Sequence, residues 1–215
     1  MRITFDGQMK QLHEELMEMT GLCRDAIAAS AEALEQGRAL NQREVEEREQ
    51  KINGLERDIE DLAMRILLRQ QPVAKDLRKV SAAMRMISDL ERIGDQAEDI
   101  AELLPYIQGG FSNERIPVGE MANEAVSMVV DSICAYVQED LKLARSVIRS
   151  DDRVDSLFEG IKEELIGEIR RGGIPAQTAL DVLMTAKYLE RVGDHAVNVA
   201  EWAEYSITGV HKNHE

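Results

Sequence analysis

Apolar residues recur every three to four positions along almost the whole chain, and alternating strand-like patterns are nearly absent. The pattern predicts six long helices. The first spans about 6–36, with Met9, Leu12, Leu16, Met19, Cys23, Ile27, Ala31 and Leu34 inward, and Gly37 offers a stop. The second spans about 41–69, with Val45, Ile52, Leu55, Ile59, Leu62 and Ile66 inward, and Pro72 forces a turn. The third spans about 73–104 and ends at Pro105. The fourth covers about 118–138. The fifth covers about 141–171, with a break allowed near Ser150–Asp151, and the sixth runs from Pro175 to Thr208. The stretch 108–117 (QGGFSNERIP) reads as a linker.

The pattern is written twice. DLERIGDQAEDIAE (89–102) returns as YLERVGDHAVNVAE (188–201), at an offset of 99 residues. VEEREQKINGLERDIEDL (45–62) aligns with VIRSDDRVDSLFEGIKEE (147–164) at an offset of 102. The three-residue difference falls in RQQPVAK, where a loop absorbs it. Each half therefore has the order long helix, helix, turn, helix. Short connections make neighbours antiparallel, so the expected fold is all-α, with two tandem, pseudo-symmetric three-helix bundles, 1–107 and 108–215. One continuous bundle is the alternative.

Composition narrows the function. There are 26 basic and 41 acidic residues, a formal charge of −15, so phosphate backbones are repelled and no nucleic-acid partner is expected. The same charge argues against docking on anionic lipid through a basic patch. No apolar run approaches the roughly 20 residues that span a bilayer, and the N-terminus lacks a signal-like stretch. A cytoplasmic protein with no direct membrane insertion is expected. Cys23 and Cys134 form no CxxC and read as small core residues. The histidines (His13, His195, His211, His214) are scattered, and no P-loop, GxGxxG or GxSxG is present.

Candidate chemistry lies in the acids. On a helical wheel at about 100° per residue, Glu91, Asp95, Asp99 and Glu102 share one face of the third helix. Leu90, Ile93, Ala97, Ile100, Ala101 and Leu104 cover the other. The sixth helix repeats this with Glu190, Asp194, Asn198 and Glu201 opposite Leu189, Val192, Ala196, Val199, Ala200 and Ala203. Like charges one turn apart are unfavourable by a few tenths of a kcal/mol, which a cation would offset. The preceding helices supply Glu49 with Asn53, and Asp151 with Asp155. Antiparallel packing brings Glu49 and Asn53 towards Asp95 and Asp99, and Asp151 and Asp155 towards Asp194 and Asn198. Such carboxylate and amide oxygens suit magnesium, manganese or iron; a solvated acidic face is the alternative. Gly94 and Gly193 recur on the apolar side, as close helix packing requires. Arg92 and Arg191 read as neutralising partners, or as anion-binding forks. His195 has Gln96 as its repeat partner, so a ligand role would not be shared by both halves. The Glu-x-x-His pair of di-iron bundles is absent, and no nucleophile or cofactor fingerprint supports an enzyme.

LLRQQPVAKDLR (67–78), REQKIN (48–53), SDDRVD (150–155) and the two repeated phrases together resemble the PhoU family, bacterial phosphate-specific transport system accessory proteins. The resemblance covers nearly the whole chain. It implies two three-helix bundles carrying multinuclear metal clusters, reported with iron, zinc or other divalent ions, on E(D)xxxD motifs. Those motifs fall on Glu49, Glu91, Asp95 and Asp99, and on Asp151, Asp155, Glu190, Asp194 and Asn198. Asn53 stands where the family has Asp, and Asp99 where it has Asn, so the second half keeps the pattern more closely. The resemblance further implies a non-enzymatic negative regulator of the phosphate-starvation response. Its partners would be the ATPase subunit of the phosphate ABC transporter and a sensor histidine kinase. Its surfaces are compatible with a homodimer, although no heptad seam marks one. A metal-independent helical adaptor and a metal-buffering protein unrelated to phosphate are the competing readings.

Overall fold

The computed structural model describes residues 2–107 and 116–210. Most of the 108–117 linker, the division between the halves, and His211 and His214 lie outside the described residues. The helices are α1 (Arg2–Gln36), α2 (Gln42–Gln70), α3 (Lys75–Leu103), α4 (Val118–Gln138), α5 (Leu141–Arg171) and α6 (Ala176–Thr208). No strand occurs among the described residues. Pro105 does not end α3 abruptly: Leu104–Tyr106 tightens into a 3-10 turn.

Each boundary has a local cause. Asn41 caps α2 by accepting from Arg43 N–H, and Asp140 caps α5 by accepting from the N–H groups of Lys142 and Leu143. Gly37, Gly172 and Gly209 close α1, α5 and α6 in the left-handed conformation. The α2–α3 turn performs the same task without glycine, holding Gln71 and Ala74 at positive φ around Pro72. The expected break in α5 does not occur. Ser150 Oγ instead donates to the carbonyl of Ser146 and the helix continues through Asp151.

The apolar stripes fold inward as the periodicity requires. Leu90, Ile93, Ala97 and Ile100 of α3 are buried, as are Leu189, Val192, Ala196 and Val199 of α6. The most extensive helix pairing is α3 on α6, one helix from each half; α4 also joins α1. The fold is the expected pair of three-helix bundles, packed against each other through one continuous core. Cys23 sits within it, donating to the Leu90 carbonyl at 3.3 Å, and burial pushes its thiol up to about 12. Cys134 is only half-buried. Tyr136 is buried and its hydroxyl donates to the Lys79 carbonyl at 2.8 Å, tying α4 to α3.

Candidate acidic site on the repeated helix faces

Two glycines let the acidic elements approach. A Cβ on Gly94 would stand 3.1 and 3.2 Å from the Cδ1 and Cγ2 of Ile52. A Cβ on Gly193 would stand 3.3 Å from Val154 Cγ1 and 3.8 Å from Asp151 Oδ1. Gly94 and Gly193 are repeat equivalents, and so are Ile52 and Val154. The same knob therefore meets the same gap in both halves. On either side of the knob stand Glu49 and Asn53 in the first half, and Asp151 and Asp155 in the second.

In the second half Asp151, Asp155, Glu190 and Asp194 come within electrostatic reach of one another. Asp151 is pushed up from 3.8 to about 6, first by burial, then by the charges of Asp155, Asp194, Asp152 and Glu190. Asp194 is raised by burial and by Glu190, and Lys187 pulls it back. Lys187 pairs with Glu190. In the first half Glu91 is raised by burial and by Asp95, against the pull of Arg92. Glu49 and Glu56 add to the repulsion. Glu98 is raised by burial, then chiefly by Glu49.

Some of these side chains have partners that the wheel does not give. Asn53 donates to Glu49 Oε1 at 2.8 Å along its own helix. Asp99 feels Glu102 and Asp95 of its own helix and Arg191 of α6; Glu98 takes its place near Glu49. Asn198 donates to Asp89 Oδ1 of α3 at 3.1 Å. His195 Nδ1 lies 2.9 Å from the same oxygen. Asp89 thus ties the two halves across the α3–α6 seam, a role that sequence reasoning missed. Its repeat partner is Tyr188, so repetition gave no signal. Glu98 could have been found, since it stands one turn after Asp95 and one before Glu102.

The donors suit a hard cation. Four carboxylates lie within electrostatic reach of one another in the second half, and a cation would relieve the repulsion that adds to burial in raising Asp151 and Asp194. The first half suits one less well, because Arg92 spans Glu91 and Asp95, at 2.9 Å from the Asp95 carboxylate, and Asn53 closes on Glu49. Among the described residues, no three His, Cys, Asp or Glu side chains converge closely enough to hold a metal ion in this conformation.

The comparisons fix the family. The family model described as the PhoU domain matches residues 16–104 and again 118–203. The chain belongs to the PhoU family. A PhoU homologue of Clostridium acetobutylicum, a phosphate-specific transport system accessory protein, is 34% identical over 97% of this chain and 96% of its own length. A homologue from Zymomonas mobilis, of the same description, is 35% identical over 95% of this chain and 87% of its own. The crystal structure of PhoU from Pseudomonas aeruginosa superposes with a TM-score of 0.87 at 29% identity, covering 96% of this chain and 100% of the other. The two PhoU matches fall on the two copies of the repeat, and each includes one repeated acidic phrase.

The raised Asp151 carboxyl carries a stability consequence. Its folded-state pKa lies above the unfolded value, so the folded protein holds that proton more tightly. Stability at this site is therefore greatest below about pH 4 and is lost as pH rises through about 6. In metal-free protein, Asp151→Asn is expected to raise stability by about 1 kcal/mol at pH 7, after allowance for solvent screening of a partly exposed group. The advantage should shrink towards zero at pH 4. Urea denaturation with chelator at both pH values measures it; an equal difference at both would mean the carboxyl is unshifted.

Proposed function

We propose that this chain regulates phosphate uptake and the phosphate-starvation response from the cytoplasm. It would link the ATPase subunit of a phosphate ABC transporter to a sensor histidine kinase, with metal ions held on its acidic helix faces. The observation that carries the reading is the doubled PhoU match with acids flanking the same glycine contact in each copy. Relatives over nearly the full length are named as accessory proteins of phosphate-specific transport. No described helix is long and apolar enough to cross a membrane. The protein would therefore reach its membrane partners through its surface.

Asp151, Asp155, Glu190 and Asp194, with Asn198, would hold ions in the second half; Glu49, Asn53, Glu91, Asp95 and Asp99 would do so in the first. Iron, zinc, manganese or magnesium would offset the repulsion among these carboxylates and so set how acidic a face the protein presents. The residues themselves present oxygens on adjacent helices and keep the face acidic towards basic partner surfaces. A homodimer would present this face twice.

A metal-independent adaptor is favoured by a different observation. Lys187 already pairs with Glu190, and Arg92 with Asp95. Elemental analysis of untagged protein purified without chelator decides between them, alongside Asp151→Ala/Asp155→Ala/Glu190→Ala/Asp194→Ala. Several equivalents of one metal are expected in the parent and a clear loss in the variant, with helicity retained and phosphate-gene repression relieved. Metal-free parent protein that still represses supports the adaptor. Metal loss with unchanged repression supports a metal buffer.

A further inference from the structure

Lys187 stands one turn before Glu190 on α6 and pairs with its carboxylate. Its ammonium also lies 5.4 Å from the ring centroid of Phe158 on α5, so both helices of the second acidic cluster hold it. Its charge acts on Asp194 of that cluster as well. The first half has no counterpart, because Lys187 and Phe158 answer to Ser88 and Glu56 in the repeat. There Arg92 takes Glu91 and Asp95, whereas its repeat partner Arg191 acts on Asp99 of α3. The half that gathers four carboxylates thus has a cation of its own, at a position that repetition did not supply. Accessibility separates the two partners. The Lys187 side chain is 43% accessible and that of Glu190 only 16%. The lysine is free to swing into solvent, while the glutamate stays within reach of Asp151 and Asp194.

We propose that Lys187 is a tethered competitor for the second acidic cluster: its ammonium holds Glu190 in the metal-free protein and must release that carboxylate before a divalent ion can take it. The inference rests on the metal reading above and adds the residue that sets the affinity of the site. In the metal-free state the ammonium offsets one of the four negative charges of Asp151, Asp155, Glu190 and Asp194. A divalent ion on the same carboxylates is repelled by an ammonium that stays beside them, so the two exclude each other. The exchange needs no helix to move. The lysine stem is flexible, and the face of Phe158 gives the displaced ammonium a second resting place. One protein cation is swapped for one cation from solution, and the cluster is partly neutralised in both states. Four carboxylates without the lysine would fill at lower metal concentration, so Lys187 sets the threshold at which the site loads.

The test titrates Mn²⁺ into the chelator-stripped full chain and reads free ion by electron paramagnetic resonance, for the parent and for Lys187→Met, which keeps an apolar stem and removes the charge. Affinity is expected to tighten about tenfold in Lys187→Met. Lys187→Arg, which keeps the charge, should stay near the parent. Lys162 lies 5.9 Å from the same ring but pairs with Glu159, so Lys162→Met should change affinity by less than about twofold. The gain from Lys187→Met should vanish in a Glu190→Ala background. Lys187 is exposed enough that its variants should keep their helicity, which circular dichroism checks. Equal affinity in parent and Lys187→Met overturns the proposal and leaves the metal reading standing. So does weaker binding in Lys187→Met, or a gain that persists without Glu190. No Mn²⁺ bound by parent or variant also overturns it, and the metal reading falls too when elemental analysis of the parent finds no metal.

Discussion

Leu90→Ala is expected to lower stability by about 3 kcal/mol and the melting temperature by roughly 10 °C, within one transition that unfolds both halves. Leu90 is fully buried on α3, and α3 makes its most extensive pairing with α6 of the other half. A cavity at that position removes contacts from a core to which both halves contribute. The neighbouring ties cross the same seam: Asp89 to His195 and Asn198, and Tyr136 to the Lys79 carbonyl. Calorimetry and urea unfolding followed by two probes check it. Two resolved transitions, only one of them shifted, would mean that the repeats fold as separate domains at their sequence boundary.

That seam was also the least legible part of the fold. The helices could be read because their buried positions recur every three to four residues; Met9, Leu12, Leu16, Met19 and Cys23 on α1 are all inside. The register of one helix on its neighbour within a half was legible too, since Gly94 and Gly193 recur where Ile52 and Val154 need room. Which helices meet between halves was not. The apolar stripe of α3 serves α1, α2 and α6 together, and periodicity does not distinguish its partners. The site divides in the same way. Asp151, Asp155, Glu190 and Asp194 gather as spacing and repetition require. Asn198 turns elsewhere, because across the seam Asp89 offers an acceptor that does not lie on the same repeat unit. A net charge summed over the chain likewise says nothing about positions 64 to 79, where five basic residues stand against Asp76.

Gly193→Leu is expected to cost about 2 kcal/mol and to separate the second acidic cluster without melting the helices. The first added atom is nearly tolerated, because a Cβ meets Val154 Cγ1 at 3.3 Å and gains helix propensity over glycine. Gly193→Ala should therefore lie within about 1 kcal/mol of the parent. The remaining leucine atoms must enter the space that Val154 occupies, so α5 is pushed from α6. Asp151 and Asp155 then move with Val154, away from Glu190 and Asp194. Asp151 then loses part of its burial and the repulsion of Asp194 and Glu190, while Asp155 and Asp152 stay beside it on α5, so its titration should fall part of the way from about 6 towards 3.8. NMR titration of the Asp151 carboxyl in metal-free protein reads this, and urea unfolding reads the stability. Gly94→Leu should cost more, since the Ile52 atoms already stand at 3.1 and 3.2 Å. If Gly193→Leu leaves the Asp151 titration in place, the cluster does not depend on close helix approach, and the glycine serves packing alone. If the titration falls while helicity persists, the small residue at the helix crossing sets the distance between the acids.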